Sequence, residues 1–468
     1  MYIQQLYTSC LSEAAYYIES NGEAAIIDPL RDYRTYTQLA ADRKASIKYI
    51  FETHFHADFV SGHIDLSKAT GAPIVYGPGT QTRYPVQIAK DGESFQLGEL
   101  SIEALHTPGH TLESTCWLLR NADGSAHAVF TGDTLFIGDV GRPDLSSGNL
   151  SSEELAGMLY DSLQQKLATL PDEVLVYPAH GPGSACGKNL GPETFSTIGQ
   201  QKQTNYALQA ENKAAFVTAV TTGLKDAPVY FAVNAAINQK GYAPFEVVLA
   251  NGMKALSVAE VEALMEEGNA ILLDTRAATV FTNGFIPGSV SIGLEGRFAE
   301  WAGSLLPFDQ SIVLITETGK EEESVTRLAR VGFEQFAGHL AGGFDSWLKA
   351  GKQLDIIIDI EPDELAMDLP HDDKLLVVDV RNETEFADGH IVGATNLSLN
   401  DLNDTMRIAT LPEEANIYLH CAAGYRSVIA ASLIKRQGLH NVRNVLGGYN
   451  AIKEIKEIPT EKDTAALS

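Results

Sequence analysis

The sequence predicts an α/β protein of three domains, and two observations carry that prediction. Residues 1 to about 190 alternate short apolar, strand-like runs with helical stretches, and chemistry-bearing polar residues fall where the strands end. The remainder repeats itself at a fixed offset of 105 residues. A chain of 468 residues is long enough to bury several independent cores. The expected segments are 1–250, 251–355 and 356–468.

In the first segment the runs Ala14–Glu19 and Glu23–Ile27 read as strands, the second closed by Asp28-Pro29, with a helix over Tyr33–Asp42. Cys116–Leu119, Ala128–Thr131 and Val174–Tyr177 are further strands. A helix is expected over Ser152–Thr169, capped by Ser151 or Ser152 with Glu154 downstream. From Gly191 to about Gly241 the apolar spacing is helical. This alternation argues for an α/β sandwich with its site along one edge.

The site candidates stand at four of these strand ends. His54-Phe55-His56-Ala57-Asp58 follows the run Ile47–Phe51, and as extended backbone it would point His54 and Asp58 the same way, converging on one ion. Thr107-Pro108-Gly109-His110-Thr111, Thr131-Gly132-Asp133-Thr134 and Tyr177-Pro178-Ala179-His180-Gly181 each place one His or Asp on a Gly- or Pro-bearing turn. A lone loop histidine is usually solvated. Four such turns in order, each behind a strand, point to a metal site.

In the repeat, Asp274-Thr275-Arg276, Phe281, Gly284, Ile286 and Gly288 recur as Asp379-Val380-Arg381, Phe386, Gly389, Ile391 and Gly393, and Gly342-Gly343-Phe344 recurs as Gly447-Gly448-Tyr449. Because Asp-x-Arg is present in both copies, it reads as a structural ion pair. The copies diverge at one loop. The second has His420-Cys421-Ala422-Ala423-Gly424-Tyr425-Arg426-Ser427 leading into a helix. Backbone N–H groups and the helix dipole there favour a thiolate and cradle an anion, and Arg426 adds a fixed positive charge. The first copy has Thr316-Glu317-Thr318-Gly319-Lys320-Glu321-Glu322-Glu323, with no thiol and three acids where an anion would bind. That copy is expected to be catalytically silent.

Net charge is −27, from 61 acidic and 34 basic residues, which argues against nucleic acid or an anionic membrane as partner. No apolar run reaches membrane-spanning length, and the N-terminus shows no basic region of a secretory signal. Four scattered cysteines form no disulfide framework, so a cytoplasmic chain with reduced thiols is expected.

On His-x-His-x-Asp, Thr-Pro-Gly-His, Thr-Gly-Asp and Pro-Ala-His, the first segment resembles the metallo-β-lactamase superfamily, which implies an αββα sandwich. Binuclear zinc hydrolases such as glyoxalase II follow the first motif with a metal-binding histidine, where this chain has Phe59. That departure, with Gly141-Arg142-Pro143-Asp144 after Thr131-Gly132-Asp133, is similar to the mononuclear iron persulfide dioxygenases. The resemblance implies one Fe(II) held by His54, His110 and Asp133, with His56, Asp58 and His180 surrounding it as orienting or proton-moving groups. It leaves Arg142 divided between substrate contact and loop brace. Glutathione-using members tend to follow Pro-Ala-His with Asp-Tyr. This chain has Gly181-Pro182-Gly183, so a different thiol carrier is expected. Cys186, close behind in a Gly-rich loop, is a candidate sulfur relay.

The second and third segments resemble rhodaneses, α/β domains in their own right. Four residues between Cys421 and Arg426 match sulfurtransferases, while rhodanese-like phosphatases have a loop one residue longer. Cys421 is then the nucleophile, with Ala422, Ala423, Gly424, Tyr425 and Ser427 around the substrate. Together the resemblances imply a fusion that oxidises a low-molecular-weight thiol persulfide to sulfite with O₂ and passes sulfane sulfur to sulfite, giving thiosulfate. A homo-oligomer is expected, with the silent copy as an interface. The alternatives are a zinc thioester hydrolase of glyoxalase II type carrying rhodanese modules, and a sulfur carrier or scaffold in which only Cys421 is loaded.

Overall fold

The computed structural model describes residues 1–145, 150–188, 190–224 and 226–463. Lys225 of the expected helical stretch and residues 464–468 of the third segment lie outside them. The chain divides into two compact units, Met1–Phe245 with Ala329–Gly332, and Glu246–Leu328 with Phe333–Ser468.

The first unit is built on two six-stranded sheets. One runs in chain order from Tyr2–Thr8 to Gln87–Ile88; the other runs Ser196–Thr197, Leu175–Pro178, Ala126–Gly132, Thr115–Arg120, Leu100–His106, Ser94–Leu97. Side chains alternate across each strand, so Glu13–Ser20 serves two cores. Tyr16 and Ile18 meet Phe51, Phe95, Ile102, Trp117 and Phe130 between the sheets, whereas Tyr17 packs with Tyr36, Ala40 and Leu66 beneath helices Arg34–Arg43 and His63–Thr70. Each fully buried Phe or Ile there contributes about 1.5–3 kcal/mol. On the far face, helices Ser152–Ser162 and Lys213–Thr221 bring Ala156, Leu159, Phe216 and Val220 onto Leu118 and Val129. The layers are therefore αββα.

Two expectations change. The helix from Ser152, capped reciprocally by Ser151 and Glu154, stops at Ser162, and its continuation Leu163–Leu167 widens into a π turn. That widening carries Leu163 and Leu167 together into the core. The strand Ser46–Phe51 also ends before the histidine motif. Asp28 accepts hydrogen bonds from the Thr53 backbone N–H and hydroxyl, both at 2.8 Å, and this turns the chain into an irregular loop instead of an extended edge.

The second unit holds two five-stranded parallel sheets of the same order, centred on Ser311–Ile315 with Ala270–Asp274, and on Asn416–His420 with Leu375–Asp379. Ala270 stands opposite Ser311, and Leu375 opposite Asn416, so the repeat extends to strand register. Asp-x-Arg is the ion pair expected of it. Arg276 reaches Asp274 at 2.6 Å and the Gly284 carbonyl at 2.9 Å; Arg381 reaches Asp379 at 2.6 Å and the Gly389 carbonyl at 2.7 Å. Each guanidinium lies 4.0 Å over the ring of the Gly-Gly aromatic turn, Phe344 or Tyr449.

Candidate metal centre and sulfur-transfer loop

In the first unit, His54, His110 and His180 each spend Nδ1 on a hydrogen bond behind the site. His54 Nδ1 is 3.0 Å from the Thr53 hydroxyl, whose own proton goes to Asp28, so the imidazole donates. His110 Nδ1 donates to the Arg142 carbonyl at 2.8 Å, and His180 Nδ1 to the Ser12 carbonyl at 3.1 Å. These bonds fix the tautomer and leave each Nε2 as a bare lone pair, as a metal ligand requires. Burial and the neighbouring imidazoles of His56, His110 and His180 hold the His54 pKa well below the usual histidine range.

Asp133 collects these lone pairs. Gly132 before it adopts φ +51°, and a Cβ there would lie 2.6 Å from Thr53, so only glycine lets this strand end approach the histidine loop. Asp133 Oδ2 is 3.5 Å from His110 Nε2 and 3.9 Å from His54 Nε2, while Oδ1 is 3.4 Å from His180 Nε2. Both Asp133 oxygens are buried and make no hydrogen bond. Orphaned buried carboxylate oxygens facing bare imidazole nitrogens are costly without a cation. The donors fit one.

The potential ligands fall into three buried groups, each with ligand atoms within 4.8 Å of one another: His54, His110 and Asp133; Asp58, His180 and Cys186; Asp28, Glu52 and His56. His54 and Asp58 thus face different groups, because the loop bends where an extended backbone was expected. Asp58 Oδ2 is 3.4 Å from His180 Nε2. His56 directs Nε2 to Asp28 at 3.1 Å and Glu52 at 3.5 Å. Burial opposes its charge, but Asp28 and then Glu52 raise its pKa well above the usual range.

Arg142 is bonded into this wall. Its guanidinium holds Asp144 at 2.6 and 2.9 Å, its carbonyl takes the His110 proton, and its N–H donates to the Cys186 carbonyl at 3.0 Å. That last bond ties the Cys186 loop to the site. Burial pushes the Cys186 thiol pKa well up, with Asp58 and Asp133 adding to it.

In the second unit, Cys421 ends the strand Asn416–His420 and precedes the helix Tyr425–Arg436. The Gly424 N–H donates to its Sγ at 3.1 Å, and the Ser427 hydroxyl lies 3.7 Å away. A Cβ on Gly448 would lie 2.4 Å from the Cys421 carbonyl, and one on Gly343 2.8 Å from the Thr316 carbonyl, which is why both copies keep a Gly-Gly turn against this loop. Two candidates are engaged by the protein itself. Arg426 forms a bidentate bridge to Glu385, 2.7 Å in each arm, and the Tyr425 hydroxyl donates to the Gly293 carbonyl of the first copy at 2.8 Å. Ala422 and Ala423 line the loop, the Ala422 carbonyl accepting from Asn450 N–H at 3.1 Å. In the thiol-less copy the same region is a cavity of about 160 Å³ lined by Glu295, Glu317, Glu323 and Lys320.

Reading the sequence missed Glu385, Asp28 and Glu52. Glu385 had a signal, since the repeat places Val280 opposite it. Asp28 and Glu52 had none beyond lying near the motif.

Comparison with known proteins gives the same division. The Metallo-beta-lactamase superfamily profile matches residues 9–180, and the Rhodanese-like domain profile matches 257–350 and 361–455. A solved metallo-beta-lactamase from Staphylococcus aureus subsp. aureus COL is 31% identical, covering 73% of this chain and 98% of its own, with a TM-score of 0.65. A probable hydroxyacylglutathione hydrolase of Schizosaccharomyces pombe is 33% identical over 165 residues, 35% of this chain and 60% of that protein. The mitochondrial persulfide dioxygenase ETHE1 of Bos taurus is 34% identical over 163 residues, 34% of this chain and 59% of that protein. The chain spans about three fifths of the length of these curated relatives. Among the described residues no helix is long and apolar enough to cross a membrane. The chain belongs to the metallo-beta-lactamase superfamily, with persulfide dioxygenase homologues, and carries two rhodanese-like domains behind its lactamase-like fold.

Proposed function

We propose that the lactamase-like domain is a mononuclear Fe(II) persulfide dioxygenase and that the last rhodanese domain is a sulfurtransferase. The overall oxidation is R–S–SH + O₂ + H₂O → R–SH + SO₃²⁻ + 2 H⁺. The observation that carries the reading is a two-histidine, one-carboxylate group in the same chain as a cysteine loop of sulfurtransferase spacing. Held by His54, His110 and Asp133, iron would supply open neighbouring positions for persulfide sulfur and O₂ together with the electrons to activate O₂. The His180–Asp58 pair holds a proton beside those positions, and His56 is kept from moving by Asp28 and Glu52. Cys421 attacks the outer sulfur of a persulfide, releases R–SH, and carries the sulfur as Cys421–S–S⁻, which Gly424 N–H, Ser427 and the helix N-terminus stabilise. Sulfite then attacks that sulfur, thiosulfate leaves, and the Cys421 thiolate returns.

The test is oxygen uptake by anaerobically iron-loaded protein given several thiol persulfides, with sulfite and thiosulfate quantified together. Uptake ending in thiosulfate supports both activities and identifies the carrier. The absence of uptake with every persulfide sinks the dioxygenase reading. The kinship with hydroxyacylglutathione hydrolases favours a second reading, a zinc thioester hydrolase; cleavage of a thioester by zinc-loaded protein, without oxygen uptake, would establish it instead.

A further inference from the structure

We propose that Asn238 is a positioning residue for the metal centre, whose amide holds the His56–Ser61 loop in shape before any ion binds. The inference rests on His54, His110 and Asp133 being the metal position.

Asn238 sits on the helix Tyr230–Lys240, well past residue 180, where the superfamily profile ends. The buried positions of this helix are Tyr230, Phe231, Asn234 and Asn238. Residues four apart share one face, so the inward surface carries two amides where an apolar stripe would ordinarily lie. Burying an amide is costly unless its donors and acceptor are met. Asn238, at 1% exposure, meets them all on one loop. Its Nδ2 donates to the His56 and Phe59 carbonyls, both at 2.8 Å, and its Oδ1 accepts from the Ser61 N–H at 2.9 Å.

These three bonds bracket Asp58, which faces His180 at 3.4 Å. The strand Ser46–Phe51 has already ended, so no sheet ladder takes up the backbone groups between His56 and Phe59. Their shape is set from outside. The attachment continues beyond the loop: the Tyr242 hydroxyl accepts from the Ile64 N–H at 3.0 Å, and Asp65 accepts from the Phe245 N–H at 2.9 Å. Ser61 with Asn238, Ile64 with Tyr242 and Asp65 with Phe245 thus join the two segments in register.

Asn234 supplies the contrast. It lies on the same face, fully buried, and neither polar atom of its side chain makes a hydrogen bond. If helix packing alone shaped the loop, Asn234 and Asn238 would matter alike.

The test titrates the full metal-free chain anaerobically with cobalt(II) against a competing chelator, comparing wild type, Asn238→Ala, Asn238→Asp and Asn234→Leu. Asn238→Asp keeps the shape and the acceptor for Ser61, but turns a carboxylate oxygen towards the two carbonyls. Both Asn238 variants should lose about 10- to 100-fold in affinity for the first equivalent of cobalt, whereas Asn234→Leu keeps the wild-type affinity. Hydrogen–deuterium exchange over residues 56–61 should be equally slow in metal-free and cobalt-loaded wild type. In the metal-free Asn238 variants it should be fast. Undiminished affinity in Asn238→Asp, an equal loss in Asn234→Leu, or wild-type exchange that slows only when cobalt binds overturns the proposal. The last of these needs no variant, so a misfolded substitution does not decide the matter. A wild-type chain that binds no cobalt would remove the metal position itself, and this proposal with it. No turnover is measured, so none of these outcomes depends on whether persulfide is oxidised.

Discussion

The two rhodanese-like copies share a scaffold and differ in one coordinated set of residues. Both keep the buried Asp-x-Arg pair, the aromatic ring under its guanidinium, the Gly-Gly turn and the strand register. The second copy has Cys421, Glu385 and Arg426; the first has Thr316, Val280 and Glu321 at the equivalent positions. Thiol, cation and the carboxylate that holds the cation are all absent from the first copy, although its fold is intact. The difference separates what both copies keep in order to stand from what only the thiol-bearing copy carries. Glu385 falls in the second set, together with the thiol and the cation it holds.

The largest expected effect is at the nucleophile. Cys421→Ser should reduce thiosulfate formation on the order of a thousandfold or more, with oxygen uptake unchanged, as paired sulfite and thiosulfate measurements would read. Retained transfer would place the reaction on another thiol. Next, Arg276→Ala and Arg381→Ala each leave a buried aspartate unpaired and should destabilise by about 3–5 kcal/mol in denaturant unfolding. Equal losses in the two copies sharpen the division between scaffold and chemistry; a loss confined to the second copy breaks it.

Arg426→Glu gives the Cys421 loop the residue of the thiol-less one. It should slow sulfur transfer on the order of a hundredfold, in line with losing one preorganised charge at a reacting anion, while the unfolding midpoint moves little. A smaller effect is expected at Glu385, whose pKa the Arg426 bridge holds below the ordinary value of 4.5. A carboxylate with a depressed folded-state pKa stabilises above its unfolded value and loses that contribution as pH falls through the folded one. The full-length chain should therefore lose stability below about pH 4.5 more steeply than Glu385→Gln; identical acid profiles would mean the bridge adds nothing. The smallest effect is Tyr425→Phe, which removes the bond to Gly293 and should cost about 1 kcal/mol, read as a lowered unfolding midpoint.

Much of this was legible in the order of residues. Strand and helix alternation, and the offset that superposes Asp274 on Asp379 and Gly343 on Gly448, are local patterns that survive without coordinates. Turn chemistry at Gly109, Gly132 and Gly181 likewise marks where a ligand can leave a strand. The inventory of His54, His56, Asp58, His110, Asp133, His180 and Cys421 follows from those patterns. Their grouping does not. The sequence suggested that His54 and Asp58 converge, but the Asp28–Thr53 bonds bend the loop and send them to separate groups.

The tertiary structure alone decided three further matters. It chose the histidine tautomers, because the Nδ1 acceptors of His110 and His180 are carbonyls 32 and 168 residues away. It brought Cys186 to Asp58, and it set Arg426 against Glu385 and Tyr425 against Gly293. Periodicity and turn propensity are properties of neighbours along the chain. A buried hydrogen bond or ion pair between distant residues exists only once sheet packing has excluded water and left each polar group one partner to find.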